Sequence, residues 1–128
     1  MKCLLDTHTF LWLVNTPELL PNRVLEIVRD RSATILISLV VPWEIAIKTK
    51  TGKLDAVDIL DDFEAKVTKA KFEIQGMTVR HVIRGGSLPL HHRDPFDRLL
   101  IAQAFELGIP ILSNDVVLDL YGVSRIWD

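Results

Sequence analysis

The sequence predicts an α/β domain in which a central parallel β-sheet is flanked by α-helices. Three observations carry this. Short continuous apolar runs at Lys2 to Leu5, Thr34 to Ser38 and Ile109 to Ser113 read as strands buried on both faces. Segments of helical apolar spacing lie between them, and that alternation argues for parallel pairing through right-handed crossovers. Acidic residues follow closely on the first and last of these runs, at Asp6 and Asp115, where an open parallel sheet places its binding crevice.

Taken in order, the first run ends at Asp6, which with Thr7 can cap the next helix. Phe10, Leu11, Leu13 and Val14 predict that helix to be short and to stop before Pro17. A second helix from Pro21 to Arg31 turns Val24, Leu25, Ile27 and Val28 inward. The β-branched run Thr34 to Ser38 is the second strand. Pro42 opens a helix that continues through Ile45 and Ile47 to Gly52 and sets Glu44 beside the strand end. Ile59, Leu60, Phe63, Val67 and Ala70 predict one helix over Asp58 to Lys71. Phe72 to Ile74 is a short strand, and Val79 to Arg84 a brief helix ended by Gly85-Gly86.

The most sharply punctuated segment is next. Asp94 is an N-cap, Pro95 suits the first helical position, and Asp97 falls at the third, so two carboxylates sit over one helix end. Phe96, Leu99, Leu100, Ala104 and Leu107 continue that helix to a stop at Gly108. Ile109 to Ser113 is the third buried strand, and Val123 to Trp127 a last edge strand.

With 128 residues the chain reads as one domain over 1–128, large enough to bury a real core without staples. Hydrophobic residues at 48% beside 25% charged exclude a disordered chain. The single cysteine, Cys3, forms no internal disulfide and reads as a reduced core residue. Only Lys2 flanks the first apolar stretch, and Asp6 interrupts it before a signal-peptide core can form, so a cytoplasmic protein is expected. The most apolar region, Ala33 to Ile47, is broken by Ser38, Pro42 and Glu44 and is too short to span a bilayer. A net charge of −2 excludes a strongly basic surface but leaves room for a local basic rim.

Asp6, Glu44, Asp97 and Asp115 all fall at or just beyond strand ends or near helix starts. Each taken alone is explained as a cap worth about 0.3 to 2 kcal/mol. If the junctions share one sheet edge, however, the carboxylates converge, and each like-charged pair at about 4 Å costs roughly 4 kcal/mol at an effective dielectric near 20. Caps do not offset several such pairs. Protonation or a hard divalent cation does, and an all-oxygen donor set suits Mg²⁺ or Mn²⁺. A cation that keeps its waters can activate one of them and stabilise charge on a phosphodiester, which is nuclease chemistry. A phosphatase of the haloacid-dehalogenase type expects a second aspartate two residues after the first, where this chain has His8.

Leu4-Leu5-Asp6-Thr7-His8, Trp43-Glu44-Ile45-Ala46-Ile47-Lys48 with Gly52-Lys53-Leu54, the run His92 to Ala104 and Leu112-Ser113-Asn114-Asp115 together resemble the PIN-domain ribonucleases, and more narrowly the VapC-type toxins of bacterial toxin–antitoxin pairs. The resemblance spans nearly the whole chain. It departs at Val41 and Pro42, where the family often carries a serine, with Ser38 kept upstream. It implies a PIN-like fold, a Mg²⁺- or Mn²⁺-dependent endoribonuclease, a cognate VapB-type antitoxin that blocks the site, and a homodimer. Asp6, Glu44 and Asp97 resemble the family's three principal acids and Asp115 the fourth. Asp6 and Asp97 are then direct metal ligands, with Glu44 and Asp115 binding directly or through water. Ser113 resembles the family's hydroxyl at the last strand end. The alternative is a PIN-like module that holds RNA or protein without cutting.

Around these acids, Lys48, Lys50, Lys53, Arg93 and Arg98 are candidates for a rim that holds RNA phosphates, set against a solvated helix face for the lysines and an acid pairing for Arg98. Ser113 either binds a ligand or caps the next helix. His91 and His92 with Asp94 suggest a transition-metal site, but adjacent side chains on extended backbone point apart, so a solvated loop is the expectation. Trp43 offers a ring to a base, yet core or dimer packing is expected of a Trp beside an apolar helix face. The apolar Phe10 to Val14 segment adds independent support for a dimer.

Overall fold

The computed structural model describes residues 1–128 and contains a single five-stranded sheet in the order β3-β2-β1-β4-β5. The strands are β1 (Lys2–Leu5), β2 (Thr34–Ser38), β3 (Glu73–Gln75), β4 (Ile111–Leu112) and β5 (Arg125–Ile126). Every pairing is parallel, with Cys3 opposite Ile35, Leu4 opposite Ile111, Ile37 opposite Ile74 and Leu112 opposite Ile126. From β1 the chain winds outward to β2 and β3, then returns to the other side of β1 for β4 and β5. The strand order therefore reverses between β1 and β4, and the crevice for a ligand opens at their carboxyl ends.

The helices are α1 (Thr7–Asn15), α2 (Asn22–Arg29), α3 (Val40–Lys50), α4 (Val57–Leu60), α5 (Phe63–Lys69), α6 (Val79–Ser87) and α7 (Pro95–Leu107). Successive strand residues face opposite sides, so β1 serves two cores. Cys3 and Leu5 join Phe10, Val24, Val41, Ile45 and Ile59 on one side of the sheet. Leu4 joins Leu36, Ile101, Ala104 and Leu118 on the other. Burial raises the Cys3 thiol to about 11, the nearby amino terminus offsetting this only in part, so it remains a protonated apolar group at neutral pH. No helix is long and apolar enough to cross a membrane.

The structure departs from the sequence expectations in four local ways. Helix α3 begins at Val40, so Pro42 sits third in it; the missing N–H still falls in the first turn, where no intrahelical partner exists. The single helix expected over Asp58 to Lys71 is two, because Asp62 adopts a left-handed conformation at φ 51°. Aspartate tolerates that turn better than most residues, and the restart still buries Ile59 and Val67 and sets Phe63 5.5 Å from Phe10. Helix α6 runs through Gly85-Gly86 to Ser87 instead of stopping. A Cβ at Gly85 would lie 2.9 Å from Leu99 Cδ2, so this glycine lets α6 close on α7. Lastly, most of the Phe10 to Val14 segment packs into the chain's own core, leaving only Val14 well exposed.

Gly108 ends α7 at φ 65°, the left-handed cap read from sequence. Replacement Gly108→Ala is expected to destabilise the fold by about 1 kcal/mol. Gly86 is helical, and a Cβ added there would meet nothing within 4 Å. It behaves oppositely: Gly86→Ala is expected to stabilise by about 0.5 kcal/mol. Denaturant unfolding of the two variants checks both signs.

Candidate active site

Asp6 follows β1 directly and caps α1, its Oδ1 accepting from the Thr9 N–H at 2.8 Å. The Asp6 N–H donates to the Leu112 carbonyl at 3.3 Å, and the Thr9 hydroxyl to the same carbonyl at 2.9 Å, so the ends of β1 and β4 are sewn together beneath the carboxylate. Asp6 is almost fully buried. Desolvation pushes its pKa up, and hydrogen bonds from Ser113 and Thr9 pull part of that back.

Glu44 projects from α3 and is buried as deeply. Its Oε1 accepts from the Thr7 hydroxyl at 2.6 Å, and its Oε2 is ion-paired with Lys48 one turn on. Burial works against the Lys48 charge, but the bond to Glu44 and the carboxylates of Glu44, Asp94 and Asp97 outweigh it and hold the ammonium above its ordinary pKa. Lys48 therefore stays cationic inside an acidic cleft.

Asp94 is the N-cap of α7, accepting from Phe96 N–H at 2.8 Å and Asp97 N–H at 3.4 Å. That cap, with Pro95 after it, fixes where the helix starts and hence the placement of Asp97 in its first turn. Asp115 caps the 3₁₀ turn Val116–Tyr121 through Val117 N–H at 3.0 Å, and its own N–H donates to Ser113 Oγ at 3.0 Å.

The four acids singled out by sequence, Asp6, Glu44, Asp97 and Asp115, line one cleft of about 430 Å³ together with Asp94 and Lys48. Their mutual field is felt at Asp97, whose pKa rises to about 8, first through burial and then through Asp94, Glu44, Asp6 and Asp115. At neutral pH and without a counter-cation this carboxyl holds a proton. An oxygen-rich cluster that sheds its remaining repulsion by binding a proton at Asp97 fits a hard divalent cation.

Other candidates fall elsewhere. Ser113 is fully buried and serves Asp6 and Asp115, so it positions acids and does not meet substrate. Arg98 is also buried; its guanidinium donates to the carbonyls of Leu88 at 2.8 Å, Pro89 at 3.0 Å, and Gly86 and His92 at 3.4 Å, which leaves it neither a phosphate contact nor an acid partner. Arg93, Lys50 and Lys53 are exposed. Trp43 is half-exposed, its ring edge-on to Phe96 at 5.0 Å, and does not enter the core.

His92 is the residue that sequence reasoning misplaced in a solvated loop. It is half-buried, with Nε2 2.8 Å from Asp115 Oδ2 and 3.1 Å from Asp97 Oδ2. One donor atom each from His92, Asp97 and Asp115 lie within 4.8 Å of one another. His91, by contrast, is exposed and lies edge-on to Tyr121. The available signal was position: a residue two before an Asp-Pro cap can fold back over the helix's first turn.

Asp97 binds its extra proton only in the folded state, so it costs metal-free stability as pH rises from about 4, its unfolded value, to about 8. Asp97→Asn removes that cost. In EDTA at pH 8 the variant is expected to melt well above wild type, and that advantage should shrink as pH falls until the two coincide near pH 4. Calorimetric scans across this range provide the check.

A sequence model of the PIN domain family matches residues 3–123. No curated protein matches the chain. Among solved structures it is similar to VapBC2 from Rickettsia felis bound to a DNA fragment from their promoter, with a TM-score of 0.72 and 16% identity over 100% of both chains. It is also similar to VapBC-1 from nontypeable Haemophilus influenzae, with a TM-score of 0.67 and 14% identity over 98% of this chain and 97% of that one. At such identities the likeness is one of fold, and it agrees with the parallel five-stranded sheet. The family match covers nearly every element that builds the cleft, from Cys3 in β1 past Asp115: the chain belongs to the PIN domain family.

Proposed function

We propose that this chain is a metal-dependent endoribonuclease, the toxin of a type II toxin–antitoxin pair. The observation that carries the reading is the convergence of Asp6, Glu44, Asp97 and Asp115 on one cleft, with Asp97 protonated in the absence of a cation. Asp6 and Asp97 would hold Mg²⁺ or Mn²⁺ directly, Glu44 and Asp115 directly or through water. When bound, the ion supplies charge neutralisation, an activated water and stabilisation of the charge that builds on a phosphodiester.

The chain's own residues do the rest. Thr7 and Thr9 fix the orientation of Glu44 and Asp6, so those carboxylates do not reorganise as substrate enters. Lys48, held cationic beside Glu44, offsets repulsion between the cleft and an RNA phosphate. Exposed Arg93, Lys50 and Lys53 extend that attraction outward. Purified protein should cut RNA with Mg²⁺ or Mn²⁺ and stop in EDTA. Asp97→Asn and Asp6→Asn should each lower cleavage by at least about 100-fold. Undiminished cutting by Asp97→Asn would overturn the mechanism, and a wild type that binds neither ion would favour the non-cutting RNA- or protein-binding module.

A VapB-type antitoxin and a second copy of the chain are the proposed partners. The two similar solved structures are VapBC assemblies by their own description, which supports the first. For the second, Val79, Val82 and Ile83 stand on one side of α6 at 74, 52 and 64% exposure. A Val82→Glu, Ile83→Glu double variant is expected to sediment as a monomer while the wild type sediments as a dimer.

A further inference from the structure

We infer that His92 orients the acids of the cleft as an Nε2–H donor and is not among the ligands that would hold a metal; only the kinetic consequence of this rests on the nuclease reading. An imidazole and two carboxylates within 4.8 Å resemble a ligand set for a transition metal. An imidazole that ligates through Nε2 must leave that nitrogen bare and carry its proton on Nδ1, where it donates to a carbonyl, carboxylate or water. Here Nδ1 faces another donor, the Asp94 backbone N–H, at 3.2 Å. A proton on Nδ1 would set two N–H groups against each other and strand the Asp94 N–H at the start of α7. Nδ1 therefore accepts, and Nε2 carries the proton.

From there the ring ties two elements together. Nε2–H donates to Asp115 Oδ2 at 2.8 Å, and its positive end lies 3.1 Å from Asp97 Oδ2. Asp115, already bonded at Oδ1 by Val117 N–H, is fixed at both oxygens, and each retains a second lone pair.

The backbone of His92 is held as firmly as its ring. Its N–H donates to the Tyr121 hydroxyl oxygen at 2.7 Å, and that hydroxyl donates onward to the Pro89 carbonyl at 2.6 Å. Arg98 grips the same loop through the carbonyls of Leu88, Pro89 and His92. This gives the buried guanidinium a purpose: it sits one residue from Asp97 and holds the loop that delivers His92 to the acids.

Long-range ¹H–¹⁵N NMR on the ¹⁵N-labelled full chain reads the tautomer directly. The expected result is a protonated Nε2 and a bare Nδ1 for His92, unchanged on adding Mg²⁺. A proton on Nδ1, or loss of the Nε2 proton when Mg²⁺ binds, would overturn the inference. Pulsed EPR of the Mn²⁺-loaded protein should show no coupling to a directly bound imidazole nitrogen, and such a coupling would equally overturn it. In cleavage assays His92→Ala is expected to lower kcat about 10- to 100-fold with little change in KM, as loss of an orienting partner does. His92→Gln, whose amide nitrogen takes the place of Nε2, should recover most of the loss; a Gln variant as poor as Ala counts against the clamp. A wild type that cuts no RNA but shows the Nε2–H tautomer would sink the nuclease reading alone. A bare Nε2 in an active enzyme would sink this one alone.

Discussion

Repulsion between carboxylates at one edge of the sheet is the constraint around which this chain is built. A parallel sheet delivers its strands to that edge together, so acids placed after β1, near the end of β2 and after β4 are forced into company. The fold answers with donors. Asp6 takes the N–H of α1, Asp94 two N–H groups of α7, and Asp115 the N–H of Val117, while Glu44 takes a hydroxyl and an ammonium. Asp97 accepts no backbone N–H and has only the near approach of His92. The unrelieved part of the field therefore gathers on one carboxyl, and its displaced pKa marks where a cation gains most.

What was legible in the sequence was what short-range chemistry decides. Strands β1 and β2 announce themselves as apolar runs, α7 by its cap, proline and glycine stop, and the four acids by their place at strand ends and helix starts. The misreadings share a cause, since each residue's role is set by a partner distant in sequence. Gly85 looks like a stop until Leu99 is seen against it. Ser113 looks like a ligand contact until Asp6 closes over it, and Arg98 looks like a phosphate-binding cation until the carbonyls of residues 86–92 fold around it. His92 needed the register of both α7 and the turn after β4. The break at Asp62 is the exception, a local choice between helix and turn that the hydrophobic period does not record.

Lys48 and Arg98 show how two cations beside the same acids come to different uses. Lys48 is long, one helical turn from Glu44 and a third exposed, so it remains a counter-charge facing the cleft. Arg98 offers a planar fork of donors and is buried among carbonyls, where its geometry is worth more than its charge. Exchanging the two residue types would therefore cost the protein different things at each position: electrostatic balance at one, loop architecture at the other.

The sheet has its own boundary condition. Its outer strands are β3, three residues long and opening with Glu73, and β5, two residues long and opening with Arg125. Strands so short, each carrying a charge, offer little hydrogen-bonding template for another chain to extend. Growth by strand addition, the route to fibrils and to many peptide-capture complexes, is thus closed at both margins. Whatever this chain associates with is then met by its helices and loops, and stickiness in the sheet has been traded for surfaces whose recognition depends on side-chain identity.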